Sequence, residues 1–470
     1  MHAQIHIKSG WKLIIILLIL SDACYTFKQF YGKPLDGDLV PIVLPATYYQ
    51  KVLDNPFGQA ALMHHETYNA TNRYFNHATM RFWFRTVHQP FSAMFTDKVT
   101  ALYALSALFS LFIYLLILYF IYRYTLFKNK NLFCFTLLIA IPLMQVNGMK
   151  TIALLDNAIT YNFFYAFPFA LLMLYLFPFY QYQIQKETSN FSLGQHIIWA
   201  GLAVYLSFGG TLIQPLVLLL SLFLAGHLIC TKIKHNAYSS IFPGYLVLHL
   251  LFFFFLCLYS YYISSFNAEN PIQTPSLAQR YGLWLHGWYV QFLSNPAYLF
   301  LLIILLITYP AIKSQLNVQE QRILNFSKYV FFFCLIYLII LPLGGYRPYR
   351  PLIIRSDLMI PVNFALLFYV VFLSVLLLKY KGIQLRFFAI LFIFILFEFA
   401  DKPQFHANAC EKIQLRIFQQ NTKDTLILKN NCRVLQWTDE FSQYHANDIS
   451  KMLFVWKISK KPVYYTEQNN

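Results

Sequence analysis

Three arginines, Arg347, Arg350 and Arg355, fall within nine positions of a segment that reads Gly-Gly-Tyr-Arg-Pro-Tyr-Arg-Pro-Leu-Ile-Ile-Arg-Ser-Asp over 344–357. Its prolines forbid a regular helix through the cluster. Planar guanidinium forks match the oxygens of a phosphate, so one reading is a clamp for a lipid-linked phosphate; the other is anchoring to lipid headgroups. Acids supply the complementary chemistry. Asp36 and Asp38 flank Gly37, a spacing that allows one carboxylate to act as a base and the other to position a group or bind a metal. The same triplet also suits an ordinary Asp-Gly turn. Asp156 precedes the polar-aromatic stretch 159–165, where it either assists those acids or caps the helix that follows. Further polar candidates are Arg280 for the phosphate, and His64, His65, Gln214, Trp284 and Tyr346 for the lining of a substrate site. Adjacent histidines on a helix diverge by roughly 100°, so the His64–His65 pair does not by itself complete a metal site.

The elements that position these groups are apolar. The 470 residues are 58% hydrophobic and 12% charged, against about 45–50% and about 25% in ordinary soluble domains. The expectation is an all-α polytopic membrane protein. Apolar runs lie at 10–30, 99–122, 132–146, 161–180, 195–208, 211–229, 242–263, 295–312, 328–343, 359–378 and 385–399, which predicts about eleven transmembrane helices. Alternate loops hold Arg123, Lys128 and Lys130, then Lys186, Lys232, Lys234, Lys313, Arg322, Lys328, Lys379, Lys381 and Arg386, with Lys8 and Lys12 at the start. The positive-inside rule makes that side cytoplasmic. The N-terminus is then cytoplasmic, and 31–97, 147–160, 264–294, the arginine segment and the C-terminal tail lie outside. In the outer half of the first helix, Asp22 is expensive unless it meets a wet cavity. Residues 31–97 carry apolar patches too short to cross and are expected to form helices along the interface. The net charge of +17 belongs to these loops and does not indicate nucleic-acid binding.

Residues 1–400 read as the membrane domain and 401–470 as a small exported α+β domain. In that domain 425–428 and 433–437 resemble strands and 439–457 a helix. Cys410 and Cys432 are the only cysteines in a polar segment, and a disulfide between them fits export. The chain has no Walker motif, no Gly-x-Ser-x-Gly and no His-Glu-x-x-His.

This pattern resembles the GT-C class of integral-membrane glycosyltransferases. The likeness is carried by Asp36-Gly37-Asp38 after the first span, the interfacial segment 52–87, Asp156 in the second outer loop and the arginines of 346–357. It implies transfer of a sugar from a polyprenyl-phosphate donor to a glycan, lipid or protein acceptor at the outer face of the cytoplasmic (inner) membrane of a bacterium. In that resemblance Asp36 or Asp38 serves as base, Arg347, Arg350 and Arg355 stabilise the leaving phosphate, and a divalent cation is the one cofactor left open. The alternative is a non-catalytic or transport subunit, such as a flippase, a polymerase or an envelope-complex component handling lipid-linked oligosaccharide.

Overall fold

A computed structural model describes residues 9–467 apart from 128–129, 146–148, 150–151, 188–190, 236–241, 271–273, 294–295, 345, 349, 381–383, 429–431 and 438–442. Each of the eleven apolar runs forms a helix. Among the described residues six are long and apolar enough to cross a membrane: Lys12–Tyr31, Lys98–Thr125, Ile159–Gln185, Gly244–Phe266, Val318–Leu343 and Ser356–Lys379. A seventh candidate pairs Leu277–Leu293 with Pro296–Ile312 across a 65° bend. The helices Asn131–Met144, Ile213–Gly226 and Phe388–Ala400 are apolar but shorter.

Burial orders these helices. In the most apolar 18-residue stretch of each, 78% of Ser356–Lys379 and 67% of Lys98–Thr125 is buried, against 22% of Lys12–Tyr31 and 17% of Val318–Leu343. The first two therefore form the centre of the bundle and the last two its rim. Lys98–Thr125 is held at its start by Asp97, whose carboxylate accepts the Val99 N–H at 3.1 Å, and it packs on Ser9–Tyr31 and Phe167–Gln185. The intramembrane Asp22 is satisfied by protein, accepting the Tyr114 hydroxyl at 2.7 Å and Gln145 Nε2 at 2.8 Å.

Residues 31–97 form short helices, the longest continuous stretch being Tyr74–Arg81, Phe82–Val87 and His88–Ala93. This stretch is packed into the bundle: Trp83 Nε1 donates to the Leu105 carbonyl at 3.1 Å, and Phe84 is fully buried. The 264–294 segment contains the helix Leu277–Trp288. A capping box of Ser276 and Gln279 starts it, and that Ser-x-x-Gln signal was visible in the sequence.

The C-terminal segment comprises helices Ala409–Gln420 and Gln443–Val455 and two parallel strands, Thr425–Leu428 and Tyr464–Glu467. Cys410 and Cys432 are disulfide-bonded. The second strand is thus not at 433–437. There Leu435 has φ +55°, which breaks an extended run, and its N–H donates to Glu411 at 2.9 Å.

Glu411 ties this segment to the rest of the protein. Fully buried, its carboxylate accepts the Leu35 N–H at 2.9 Å and the Tyr103 hydroxyl at 2.6 Å as well as the Leu435 N–H. Asn408 adds bonds to the Tyr31 and Lys33 carbonyls, and Trp456 Nε1 donates to the Phe84 carbonyl at 2.8 Å. Gly37 lies under Trp437, where a Cβ would stand 2.7 Å from the Trp437 nitrogen and 2.8 Å from Cδ1. The nitrogen belongs to backbone, so Gly37→Ala is expected to destabilise by about 1–3 kcal/mol. Limited proteolysis reads this directly: the variant should lose residues 401–470 at protease concentrations the parent resists, and an unchanged pattern would show the contact to be dispensable.

Candidate functional site at one end of the bundle

The Asp-Gly-Asp loop meets the start of Ile159–Gln185 through Asp36. Its Oδ2 accepts the Thr160 N–H at 2.9 Å, and its Oδ1 accepts the Thr160 hydroxyl and, at 3.2 Å, the Asp38 N–H. Both oxygens are committed, so Asp36 acts here as a cap joining two segments 124 residues apart. Burial pushes its carboxyl up to about 7, helped by the Asp38 charge and opposed by the Thr160 bonds.

Asp38 is half-buried. Burial raises its pKa, while a bond from Trp437 and the nearby Arg350 charge pull the other way. Arg350 lies over the Tyr161 ring at 4.6 Å and pairs with Asp357 at 3.4 Å. Arg355 grips the same carboxylate with two bonds, at 3.1 and 3.3 Å. Asp357 opens helix Ser356–Lys379, where a negative charge also complements the helix dipole. Asp156 completes the group. Its side chain accepts the Ala158 N–H at 2.8 Å in a turn before the helix, and its pKa is raised first by burial and then by Asp357.

Beside these acids lies a cavity of about 260 Å³, whose walls include Asp156, Asn157, Tyr161, Tyr165, Gln291 and Asp357. A second charge cluster lies near Asp38. Glu269 accepts from Arg347 at 3.0 Å, Arg73 at 3.3 Å and the Tyr49 hydroxyl at 3.1 Å. Burial pushes Glu269 up, but Arg73 and Arg347 outweigh it and hold the carboxyl below its ordinary value. Arg347 also donates to the Glu269 backbone carbonyl.

The acids and arginines read from sequence therefore do gather, though not as free arginines facing free acids. Arg350 and Arg355 are engaged by Asp357, and Arg347 by Glu269. Arg280 donates to the Gly344 carbonyl at 3.2 Å and ties helix Leu277–Trp288 to the arginine segment. None of the five expected lining residues is in the cavity wall. Gln214 is buried and donates to the Ser207 carbonyl at 2.6 Å and Ser260 Oγ at 3.2 Å; Trp284 donates to the Leu338 carbonyl at 2.8 Å. Tyr346 is half-buried, and His64 and His65 are exposed at the end of helix Gln59–His64. The polar atoms of Gln214 and Trp284 thus fasten helices together. Sequence reasoning missed Arg73, Tyr161 and the pairing role of Asp357. Only Asp357 left a local signal, two residues after Arg355 at a helix start. Among the described residues no group of three or more His, Cys, Asp or Glu side chains is arranged to hold a metal ion.

The buried titratable groups fix a pH response. Burial raises Glu411, like Asp36, to about 7, despite donors from Tyr103, Leu435 and Leu35. Unfolded carboxyls lose their protons near pH ~4, so the stability these two contribute is complete below that and lost as pH rises through 7. Buried His77 and His88 are lowered to about 3 and about 4, chiefly by burial and then by Arg73 and Lys98 respectively. Their contribution is complete above about 6.5 and lost on acidification. The two sets oppose one another in the acid range, leaving the alkaline limb to the carboxyls. The melting temperature in detergent is expected to fall between pH 6.5 and 8, and Glu411→Gln to flatten that fall. A profile that rises with pH there overturns the assignment.

No known family model matches the chain, and no curated protein sequence matches it either.

Proposed function

We propose that this chain is a GT-C-like membrane glycosyltransferase of about eleven spans, with a cytoplasmic N-terminus and an exported C-terminus. It transfers a sugar from a polyprenyl-phosphate donor to an envelope glycan, lipid or protein acceptor at the outer face of the cytoplasmic membrane. The observation that carries this reading is the convergence of Asp38, Asp156, Arg350 and Asp357, from three separate loops, beside a cavity at one end of an apolar helix bundle.

In this reading Asp38 is the base. Asp36 has both oxygens committed to Thr160 and the Asp38 N–H, whereas Asp38 is half-buried near Arg350, with burial raising its pKa. The acceptor hydroxyl oxygen bonds to the anomeric carbon as the bond from that carbon to the phosphate oxygen breaks. Asp38 takes the hydroxyl proton, and the polyprenyl phosphate leaves with the electron pair. Its growing charge draws Arg350 and Arg355 from Asp357. One displacement inverts the anomeric configuration. Asp156 assists Asp38 from the wall of the cavity.

The competing reading, a non-catalytic or transport subunit, draws on those same ion pairs: arginines satisfied by Asp357 and Glu269 need no phosphate to be stable. Glycan mass spectrometry of envelope material separates the two. A deletion strain should lose a sugar from a glycan or lipid-linked species, and the parent gene should restore it while Asp38→Asn does not. An unchanged glycan profile transfers the case to the subunit reading.

A further inference from the structure

We infer that the cavity beside Asp156 and Asp357 takes a single monosaccharide unit, neutral or amine-bearing and not a uronate, with Asn157 and Gln291 reading its hydroxyl or amino groups. This rests on the glycosyl-transfer reading above and adds the class of sugar.

The polar wall of the cavity is rich in acceptors. Asp156 and Asp357 contribute carboxylates, and Asn157 Oδ1 and Gln291 Oε1 are buried carbonyl oxygens without a hydrogen-bond partner. Buried polar atoms are paired in the great majority of cases. The two residues share the wall of one cavity although their segments lie more than 130 positions apart, and a ligand that carries donors would pair both orphaned acceptors once the side chains turn towards it. Gln291 sits in the π-helical turn Tyr289–Leu293, a local widening of the helix that recurs at functional sites. Asn157 comes from the turn that Asp156 closes with the Ala158 N–H. Both therefore project from irregular backbone rather than from the packed faces of spans.

Charge sets the exclusion. No Lys, Arg or His belongs to the wall. The nearest guanidinium groups, Arg350 and Arg355, are turned to Asp357 at 3.4 and 3.1 Å. A sugar carboxylate would enter beside two others with no cation of its own in the cavity, whereas hydroxyl and ammonium groups meet acceptors on several sides. Size sets the limit in length. At about 260 Å³ the space falls below the ~300–1,000 Å³ of drug-sized sites and suits one ring rather than an oligosaccharide.

The test uses the full-length protein in detergent and synthetic farnesyl phosphate probes, bare or carrying glucose, galactose, mannose, glucosamine, glucuronate or a glucose tetrasaccharide. Dissociation constants are measured by thermophoresis. At least one neutral or amino sugar should bind about 10-fold or more tighter than glucuronate and the tetrasaccharide. Asn157→Leu and Gln291→Leu should each reduce that preference over bare farnesyl phosphate by about 3- to 10-fold. The shape-preserving Asn157→Asp and Gln291→Glu should shift the preference towards glucosamine, which covers the case in which a leucine variant fails to fold. Equal binding of glucuronate or the tetrasaccharide, or unchanged preferences in all four variants, overturns the inference while leaving glycosyl transfer standing. Failure of every probe to bind, bare farnesyl phosphate included, removes the transfer reading itself.

Discussion

Asp38→Asn is expected to lower sugar transfer by about 10²–10⁴-fold, the range over which a positioned base contributes. The substitution keeps the side-chain shape, so the bond from Trp437 and the packing of Gly37 beneath it persist. Donor binding should survive, because the phosphate is held by arginines and not by this acid. Asp36→Asn makes the informative contrast. It replaces an acceptor of three hydrogen bonds with an amide that must turn two donors towards Thr160 or the Asp38 N–H. Its effect should be a lowered melting temperature, with transfer per folded molecule largely retained. Initial rates and thermal melts on the two variants decide the matter. If Asp36→Asn melts normally and loses transfer while Asp38→Asn keeps it, the two acids exchange roles.

The largest effect on stability is expected at Glu269. Its carboxylate lies between Arg73 and Arg347, with all three side chains only 17–18% exposed. Glu269→Ala leaves two poorly solvated cations facing each other, and breaking a buried pair in this way costs about 3–5 kcal/mol. Glu269→Gln keeps an acceptor but removes the charge and should fall between parent and Ala. The Lys51–Glu66 pair provides the control, since its side chains are 42% and 37% exposed. Glu66→Ala should cost at most about 1 kcal/mol. Chemical denaturation in detergent measures all three. Equal losses at Glu269 and Glu66 would mean that water reaches the inner pair as freely as the outer one.

The apolar framework was legible because it is a local property. A run near 20 residues long announces a helix without reference to anything else in the chain, and all eleven runs are helical. The gathering of acids and arginines at one end could be expected from alternation of loops alone. Their pairing could not. Arg350 could meet Asp36, Asp38, Asp156 or Asp357 with equal plausibility on paper, and only the packing of Tyr161 beneath its guanidinium and Asp357 in front of it makes the choice. The first short strand lies at 425–428 as expected, and the second was misplaced for a related reason. Segments 433–437 and 464–467 have similar aromatic and branched content, and what separates them is the Glu411 bond that draws Leu435 into a left-handed turn. The lining residues show the opposite error. Gln214 and Trp284 have the right chemistry for a sugar site, but their polar atoms are used to fasten one helix to another.

The bonds from Glu411 to Leu35 and Leu435 and the contact of Trp437 with Gly37 have a consequence in time. A ribosome delivers the acid loop early, after the first span, but the residues that fix its shape leave more than 370 positions later. Domains generally form as they emerge; here a loop takes part of its shape from a segment that follows it by more than 370 positions. Until Glu411 and Trp437 have emerged, Leu35 and Gly37 lack these partners, and Asp36 is fixed only through Thr160 and the Asp38 N–H. A chain released short of that point would be inserted and helical but without an ordered acid loop. In the proposed enzyme, a molecule without Glu411 and Trp437 would keep its arginines but lose these restraints on the acid loop, and would transfer sugar poorly.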